Sequence, residues 1–210
     1  AQLQKEGGHL ATPEQKEMLR KAMWDGERHR TVETVAIAPQ QLAKIAGFEI
    51  PADRKFIMVH GDGIGKEHHF SGEKLTTLLA LYKYESFDQA LAMMRGVYEV
   101  GGKGHSCGIY SFDQDHIHRL AMAAPVSRIM VRQPQSKANA GAFNNGMPMT
   151  SSLGCGTWGG NIISENVHLK HYMNTTWVSV PIKEDKPSDE ELFGDFYDPA
   201  LEGVVETITT

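Results

Sequence analysis

Two cysteines in 210 residues exclude a disulfide-stapled scaffold and make a reducing compartment the expected setting. No apolar run approaches the roughly 18 residues that a membrane helix needs, so no membrane partner is expected. The charge is mild, with 21 Lys and Arg against 26 Asp and Glu for a net of −5, which leaves no basic field for nucleic acid. Repeats and low-complexity tracts are also lacking. What is present is apolar mass. Hydrophobic residues make up 40% and charged residues 22%, which suits one folded domain or one and a half and excludes a disordered chain. The sequence starts at Ala1 rather than Met and reads as a processed, truncated or excerpted chain.

Hydrophobic periodicity predicts an α/β fold. Thr12-Pro13-Glu14-Gln15 has the form of a capping box, and Met18, Leu19, Ala22 and Met23 follow at helical spacing before Asp25-Gly26. A second helix is expected over Gln40–Ala46, closed by Gly47. Phe56–Val59 reads as a buried strand, and Leu78–Tyr82, Cys107–Tyr110 and Arg128–Val131 as three more. Helices fill the intervals at Phe87–Val100 and Asp113–Ala124. Strands alternating with helices of this length predict a mostly parallel sheet flanked by helices.

From Gln133 to Asn166 the periodicity disappears, and Gly, Asn, Ser, Thr and Met dominate. Trp158, Cys155 and several glycines mark this stretch as a folded, ligand-facing loop rather than a linker. Trp177–Ile182 alternates β-branched and polar residues and predicts a late strand, available to a partner. The tail from Lys183 to Thr210 carries nine acidic residues against two lysines, and Ser188-Asp189-Glu190-Glu191 is set to cap a last short helix.

Several segments invite chemical readings. His60-Gly61-Asp62-Gly63-Ile64-Gly65-Lys66 follows a strand but lacks the first Gly and the final Ser or Thr of a phosphate loop. The ten histidines cluster at His68-His69, His116/His118 and His168/His171, yet no Cys or carboxylate pair completes a metal shell, so no metal is expected. His105 and Cys107 share a face if their segment is extended; isolated cysteines are otherwise small buried hydrophobes. Arg132 and Lys137 stand near the glycine-rich loop, as anion contacts or as solvated charges.

Three further stretches, taken in order, resemble a known family. Phe70-Ser71-Gly72-Glu73-Lys74-Leu75, running on to Leu81-Tyr82, resembles the glutamate-bearing lead into a strand of CoA-acylating aldehyde dehydrogenases. Gly101-Gly102-Lys103-Gly104-His105-Ser106 resembles their glycine-histidine turn, with His105 thirty-two positions after Glu73 as in that family. Leu153–Asn161, with Ser164-Glu165-Asn166 behind it, resembles their tryptophan loop. The likeness runs from residue 1 to about 182.

The resemblance implies the C-terminal catalytic part of such an enzyme. Residues 1–150 would form the catalytic domain, 151–182 the tryptophan loop and an oligomerisation strand, and 183–210 an acidic tail. Ala1–Leu10 would be the helix after the nucleophilic cysteine, which would itself lie upstream together with most of the dinucleotide site. Cys155 then matches a second cysteine of the loop and Cys107 a variable position, so neither inherits the nucleophile's role. His105 matches the active-site histidine, suited to polarising a carbonyl or to handling the proton of the CoA thiol. Glu73 and Leu153 match contacts to the nicotinamide-ribose end of NAD.

The implied reaction joins an aldehyde, coenzyme A and NAD or NADP to give an acyl-CoA, in a homo-oligomer in the cytoplasm or in a protein-shelled microcompartment. Arg132, Lys137 and Asn144-Asn145 suit an aldehyde carrying an anion, and Glu191-Leu192-Phe193-Gly194 resembles extensions on sulfoacetaldehyde-type enzymes. The alternatives are a non-catalytic nucleotide-binding or oligomer-capping relative and a metal-dependent hydrolase.

Overall fold

A glycine pair divides the first ten residues in the computed structural model, which describes residues 1–201. The helix expected over Ala1–Leu10 is cut to one turn, α1 (Gln2–Lys5). Gly7, at φ +99°, then swings the backbone into strand β1 (Gly8–Leu10), because only glycine takes that angle without strain. Helix α2 (Pro13–Met23) begins at the expected capping box: the Thr12 hydroxyl accepts from the Gln15 amide at 3.2 Å and Gln15 Oε1 accepts from the Thr12 amide at 3.1 Å. Helix α3 (Pro39–Ala46) ends at Gly47, whose φ of +93° makes the left-handed cap.

Strands β2 (Phe56–His60) and β3 (Leu78–Leu81) follow, then α4 (Phe87–Gly101), β4 (Cys107–Ile109), α5 (Gln114–Ala123), β5 (Ile129–Val131) and the short α6 (Gln135–Ala138). Among the described residues β1 to β5 pair in parallel only. The strands form two sheets rather than the single sheet expected, one in the order β1-β2-β3 and one of β4-β5. The class is α/β, with helices on parallel strands.

Each sheet has its own core. Leu19 and Met23 of α2 and Leu42 and Ala43 of α3 are buried against Ile57, Val59 and Leu78 of the first sheet. Around the second sheet, Cys107, Leu120 and Ala124 pack with Phe87, Leu91, Met94 and Tyr98, the inner face of α4. His116 is stacked flat on Phe87, with ring centroids 4.0 Å apart, so this histidine is a packing element.

The lead into β3 is held by side chains rather than by regular structure. Lys74 Nζ donates to the carbonyls of Phe70 (3.0 Å) and Gly72 (2.7 Å), and Arg30 Nη2 donates to the Lys74 carbonyl at 2.9 Å. Arg30 also lies over the Trp24 ring, 4.9 Å from its centre. Burial, and then the charge of Arg30, push the Lys74 ammonium below the ordinary lysine range, against the pull of Glu73.

The chain divides into two compact units, 1–172 and 173–210. In the second, the strand expected over Trp177–Ile182 does not form, because a strand needs a neighbour to receive its hydrogen bonds and none lies beside it among the described residues. Trp177 is 90% exposed and Ile182 89%. Helix α7 (Asp189–Phe193) starts at the expected Ser188/Glu191 capping box, with bonds of 3.2 and 3.0 Å. The acidic tail continues beyond the described residues from 202 onward.

Two outcomes follow for stability. Leu19→Ala removes a fully buried side chain and should cost about 2–5 kcal/mol, whereas Thr12→Ala removes only a cap and should cost about 1 kcal/mol; urea unfolding measures both. Because folding lowers the Lys74 pKa, the unfolded chain binds more protons in the window between that lowered value and about 10.4. Stability contributed at this site therefore rises with pH through that window, and Lys74→Met should remove that part of the slope in unfolding curves taken at stepped alkaline pH.

Candidate active site

The three sequence segments meet through backbone atoms. Gly101 ends α4 beside the lead into β3: a Cβ placed on it would lie 3.8 Å from the Glu73 amide nitrogen. Gly104 lies against the tryptophan loop. A Cβ there would stand 2.5 Å from the Cys155 carbonyl oxygen and 2.8 Å from the Gly159 amide, and φ is +102°, so both space and backbone angle demand glycine. Gly104 is also hydrogen-bonded into the second sheet, accepting from Ser127 at 3.0 Å and donating to Pro125 at 2.9 Å. The glycine-histidine turn thus sits between the glutamate segment and the tryptophan loop.

Beside this junction lies a cavity of about 500 Å³, lined among others by Glu73, Lys74, Tyr82, Tyr98, Gly101, Gly102 and His105. Glu73 and His105, far apart in sequence, therefore face one space. The loop 61–65 packs near it for steric reasons: Gly61 lies under the Tyr82 ring, where a Cβ would be 2.2 Å from the ring edge, and Tyr82 donates from its hydroxyl to the Gly63 carbonyl at 3.2 Å. Its glycines serve packing, and no helix follows to bind a phosphate.

Behind His105 stands a polar cluster that periodicity could not reveal. His105 Nδ1 is 2.7 Å from the Ser106 hydroxyl. That buried hydroxyl accepts from Gln135 Nε2 (3.0 Å) and Asn139 Nδ2 (3.3 Å), and the Ser106 carbonyl accepts from Tyr98 (2.9 Å) and Gln135 (3.0 Å). The Tyr98 phenol is pushed far above its ordinary range by burial and the neighbouring Cys107. Gln135 and Asn139 come from α6 and its end, inside the stretch expected to be irregular. The only sequence signal was a small hydroxyl residue beside a histidine.

Other expectations meet different fates. Leu153 lies outside the lining of the Glu73/His105 cavity; it is half-buried and bridges Asn166 in an antiparallel pair, which closes the base of the tryptophan loop. Cys107 is buried in the second core, where desolvation raises its thiol pKa against a lowering bond from Tyr98. Cys155 holds the loop: its amide donates to Asn161 Oδ1 at 2.9 Å. Arg132, at φ +52°, donates to the Ser111 carbonyl at 2.7 Å and covers Phe112, away from the cavity. Lys137 is exposed on α6, also outside the lining. The Asn145 amide is consumed within its own turn, accepting from Ala142 and Met147 and donating to Ala138 and Gln133. The cations that do line the cavity are Lys74 and Lys103, the latter paired with Glu99 at 2.5 Å.

Among the described residues no three His, Cys, Asp or Glu side chains converge to hold a metal ion. His168 and His171 do approach, with rings 5.0 Å apart in a T-shaped pair, but His171 Nδ1 is engaged with the His168 backbone. No helix of the described residues is long and apolar enough to cross a membrane.

Comparison with known proteins places this geometry. No family profile matches the chain. It is 39% identical over 193 residues to a sulfoacetaldehyde dehydrogenase of an Acholeplasma species, covering 90% of this chain and 40% of that protein. It is 37% identical over 201 residues to an acylating sulfoacetaldehyde dehydrogenase of Bilophila wadsworthia, covering 94% and 43%. Among solved structures, an acetylating aldehyde dehydrogenase from Geobacillus thermoglucosidasius superposes with a TM-score of 0.80 at 32% identity, over 89% of this chain and 41% of that one. The chain spans about two fifths of the length of these relatives. Over about nine tenths of its own length, this chain is a partial member of the acylating aldehyde dehydrogenases.

Proposed function

We propose that this chain supplies the histidine-bearing part of an NAD(P)-dependent, CoA-acylating aldehyde dehydrogenase, acting on a short anionic aldehyde such as sulfoacetaldehyde. The observation that carries the reading is the placement of Glu73 and His105 on one cavity, with Gly104 clamped against Cys155 and Gly159. Relatives named for sulfoacetaldehyde support the substrate, and one named for succinate semialdehyde, 38% identical over 156 residues, supports an anionic aldehyde more broadly.

The residues fit the cofactor at one point. Glu73 is exposed and lines the cavity, its carboxylate makes no hydrogen bond or ion pair among the described residues, and it is suited to hold ribose hydroxyls. When bound, a nicotinamide supplies the hydride acceptor that turns a thiohemiacetal into a thioester. His105 lines the same cavity, where it would face the carbonyl of a bound aldehyde. Cys107 is shut in the core, where burial raises its thiol pKa, and Cys155 lies outside the lining of the Glu73/His105 cavity, so neither suits the covalent step. The thiolate comes from a part of the whole enzyme outside this chain, and the chain alone should be inactive. The exposed, alternating Trp177–Ile182 segment is proposed to pair with a second copy. The cytoplasm, or a protein-shelled compartment within it, is the proposed setting.

This reading has direct tests. With sulfoacetaldehyde, CoA and NAD, the chain alone should form no NADH. Joined to the remaining part of the Bilophila wadsworthia relative it should form acyl-CoA, and His105→Ala should then lower turnover about 10²–10⁴-fold. NADH from the chain alone, or a folded chimera indifferent to His105, would refute the reading; acetaldehyde turned over far better than sulfoacetaldehyde would refute the substrate. Gly104→Ala should cost several kcal/mol, on the order of 2–4, and shift tryptophan fluorescence as the 155–159 loop is displaced. Val178→Lys with Val180→Lys should shift the assembly to smaller species by light scattering; an unchanged mass would reject the pairing.

A further inference from the structure

We infer that Ser106 is a positioning residue that fixes the ring tautomer of His105, so that the imidazole meets the cavity as a hydrogen-bond donor at Nε2. The catalytic meaning of this rests on the dehydrogenase reading; the tautomer itself does not. A serine hydroxyl has one hydrogen and two acceptor sites. Ser106 Oγ has three neighbours at hydrogen-bond distance: Gln135 Nε2 at 3.0 Å, Asn139 Nδ2 at 3.3 Å and His105 Nδ1 at 2.7 Å.

Amide nitrogens only donate, so Gln135 and Asn139 take both acceptor sites. The Gln135 orientation is set independently, because its Nε2 also faces the Ser106 carbonyl at 3.0 Å, which only an N–H can satisfy. The hydroxyl hydrogen is left for His105, across the shortest of the three contacts. Nδ1 then accepts, and the neutral ring carries its proton on Nε2. Ser106 and Asn139 are 6% and 7% exposed, so water does not compete freely for these bonds. Nε2 meets no hydrogen-bonding partner among the described residues, and the ring borders the cavity.

This decides between the two roles left open for the histidine. An Nε2–H donates to a carbonyl oxygen and strengthens that bond as negative charge develops on it. It has no lone pair on Nε2 with which to take the proton of a CoA thiol. His105 in this form polarises the carbonyl and keeps its proton throughout, so the thiol proton leaves by another route, to solvent.

The test is a long-range ¹H–¹⁵N correlation spectrum of the ¹⁵N-histidine-labelled chain, recorded well above the ordinary histidine pKa of about 6.5 so that the ring is neutral. His105→Gln assigns the signals. The expected result is an unprotonated Nδ1 and a protonated Nε2; a protonated Nδ1 in the unmodified chain would overturn the proposal. Ser106→Ala should move Nδ1 toward the averaged position of free imidazole, and Ser106→Thr, which keeps the hydroxyl, should restore it. Should Ser106→Ala fail to fold, Asn139→Asp exchanges a donor for an acceptor and should raise the Nδ1–H share. Tautomer signals indifferent to these changes would reject the role of Ser106. The readout needs no turnover, so its failure is separable from failure of the dehydrogenase assay.

Discussion

The approach of the Gly104 backbone to the carbonyl of Cys155 is the contact on which the site depends. There is no room for a side chain between the two backbones, and the left-handed angle at Gly104 turns the chain so that the next residue, His105, borders the cavity. The same residue is bonded into the pairing that β4 and β5 extend, so the turn is anchored to the second sheet on one side and pressed on the loop on the other. A histidine on a free loop would have many orientations; here its backbone has one.

Side-chain hydrogen bonds, with Ser106, Asn139 and Asn166 buried among them, do the rest where regular structure is missing. Lys74 and Arg30 tie the residues around Glu73 by three carbonyls. Ser106, Gln135, Asn139 and Tyr98 tie the residues behind His105. Asn145 closes its own turn, and Asn166 donates to the carbonyls of Asn139 and Pro148 at 3.0 and 2.8 Å. Segments without apolar periodicity cannot be held by amphipathic packing, so their order comes from satisfying polar groups that burial would otherwise penalise. Of the residues that composition assigns to the substrate, Asn145 is spent on such bonds, whereas Lys137 stays exposed.

The regular elements were legible because they obey a period. Helices α2, α4 and α5 and strands β2 to β5 coincide with the expected segments to within a few residues, since each has an apolar face or run and a glycine, cap or turn at its end. Strand β1 was missed because three residues beginning with glycine carry no alternation, and it is a strand only by lying beside β2. The segment at Trp177–Ile182 shows the converse, a strand-like pattern with no neighbour to pair with. Pattern states what a segment is able to form, and a hydrogen-bonding partner decides whether it forms.

For the site, the order and spacing of Glu73, His105 and the Leu153–Asn161 loop were enough to point to the acylating aldehyde dehydrogenases, because a reacting group needs a particular residue at a particular place and such residues stand out singly in a sequence. What the chain order did not contain was which of them share a space. Glu73 and His105 do, while Leu153 serves the base of the loop and Arg132 and Lys137 lie elsewhere. Nor did it contain the Ser106 cluster, in which Tyr98, Gln135 and Asn139 lie 8, 29 and 33 positions from Ser106 and carry no shared signature. Side-chain identity sets the chemistry available at a position. Which groups meet, and which of their lone pairs and protons are already committed, is decided only when distant backbones are packed together.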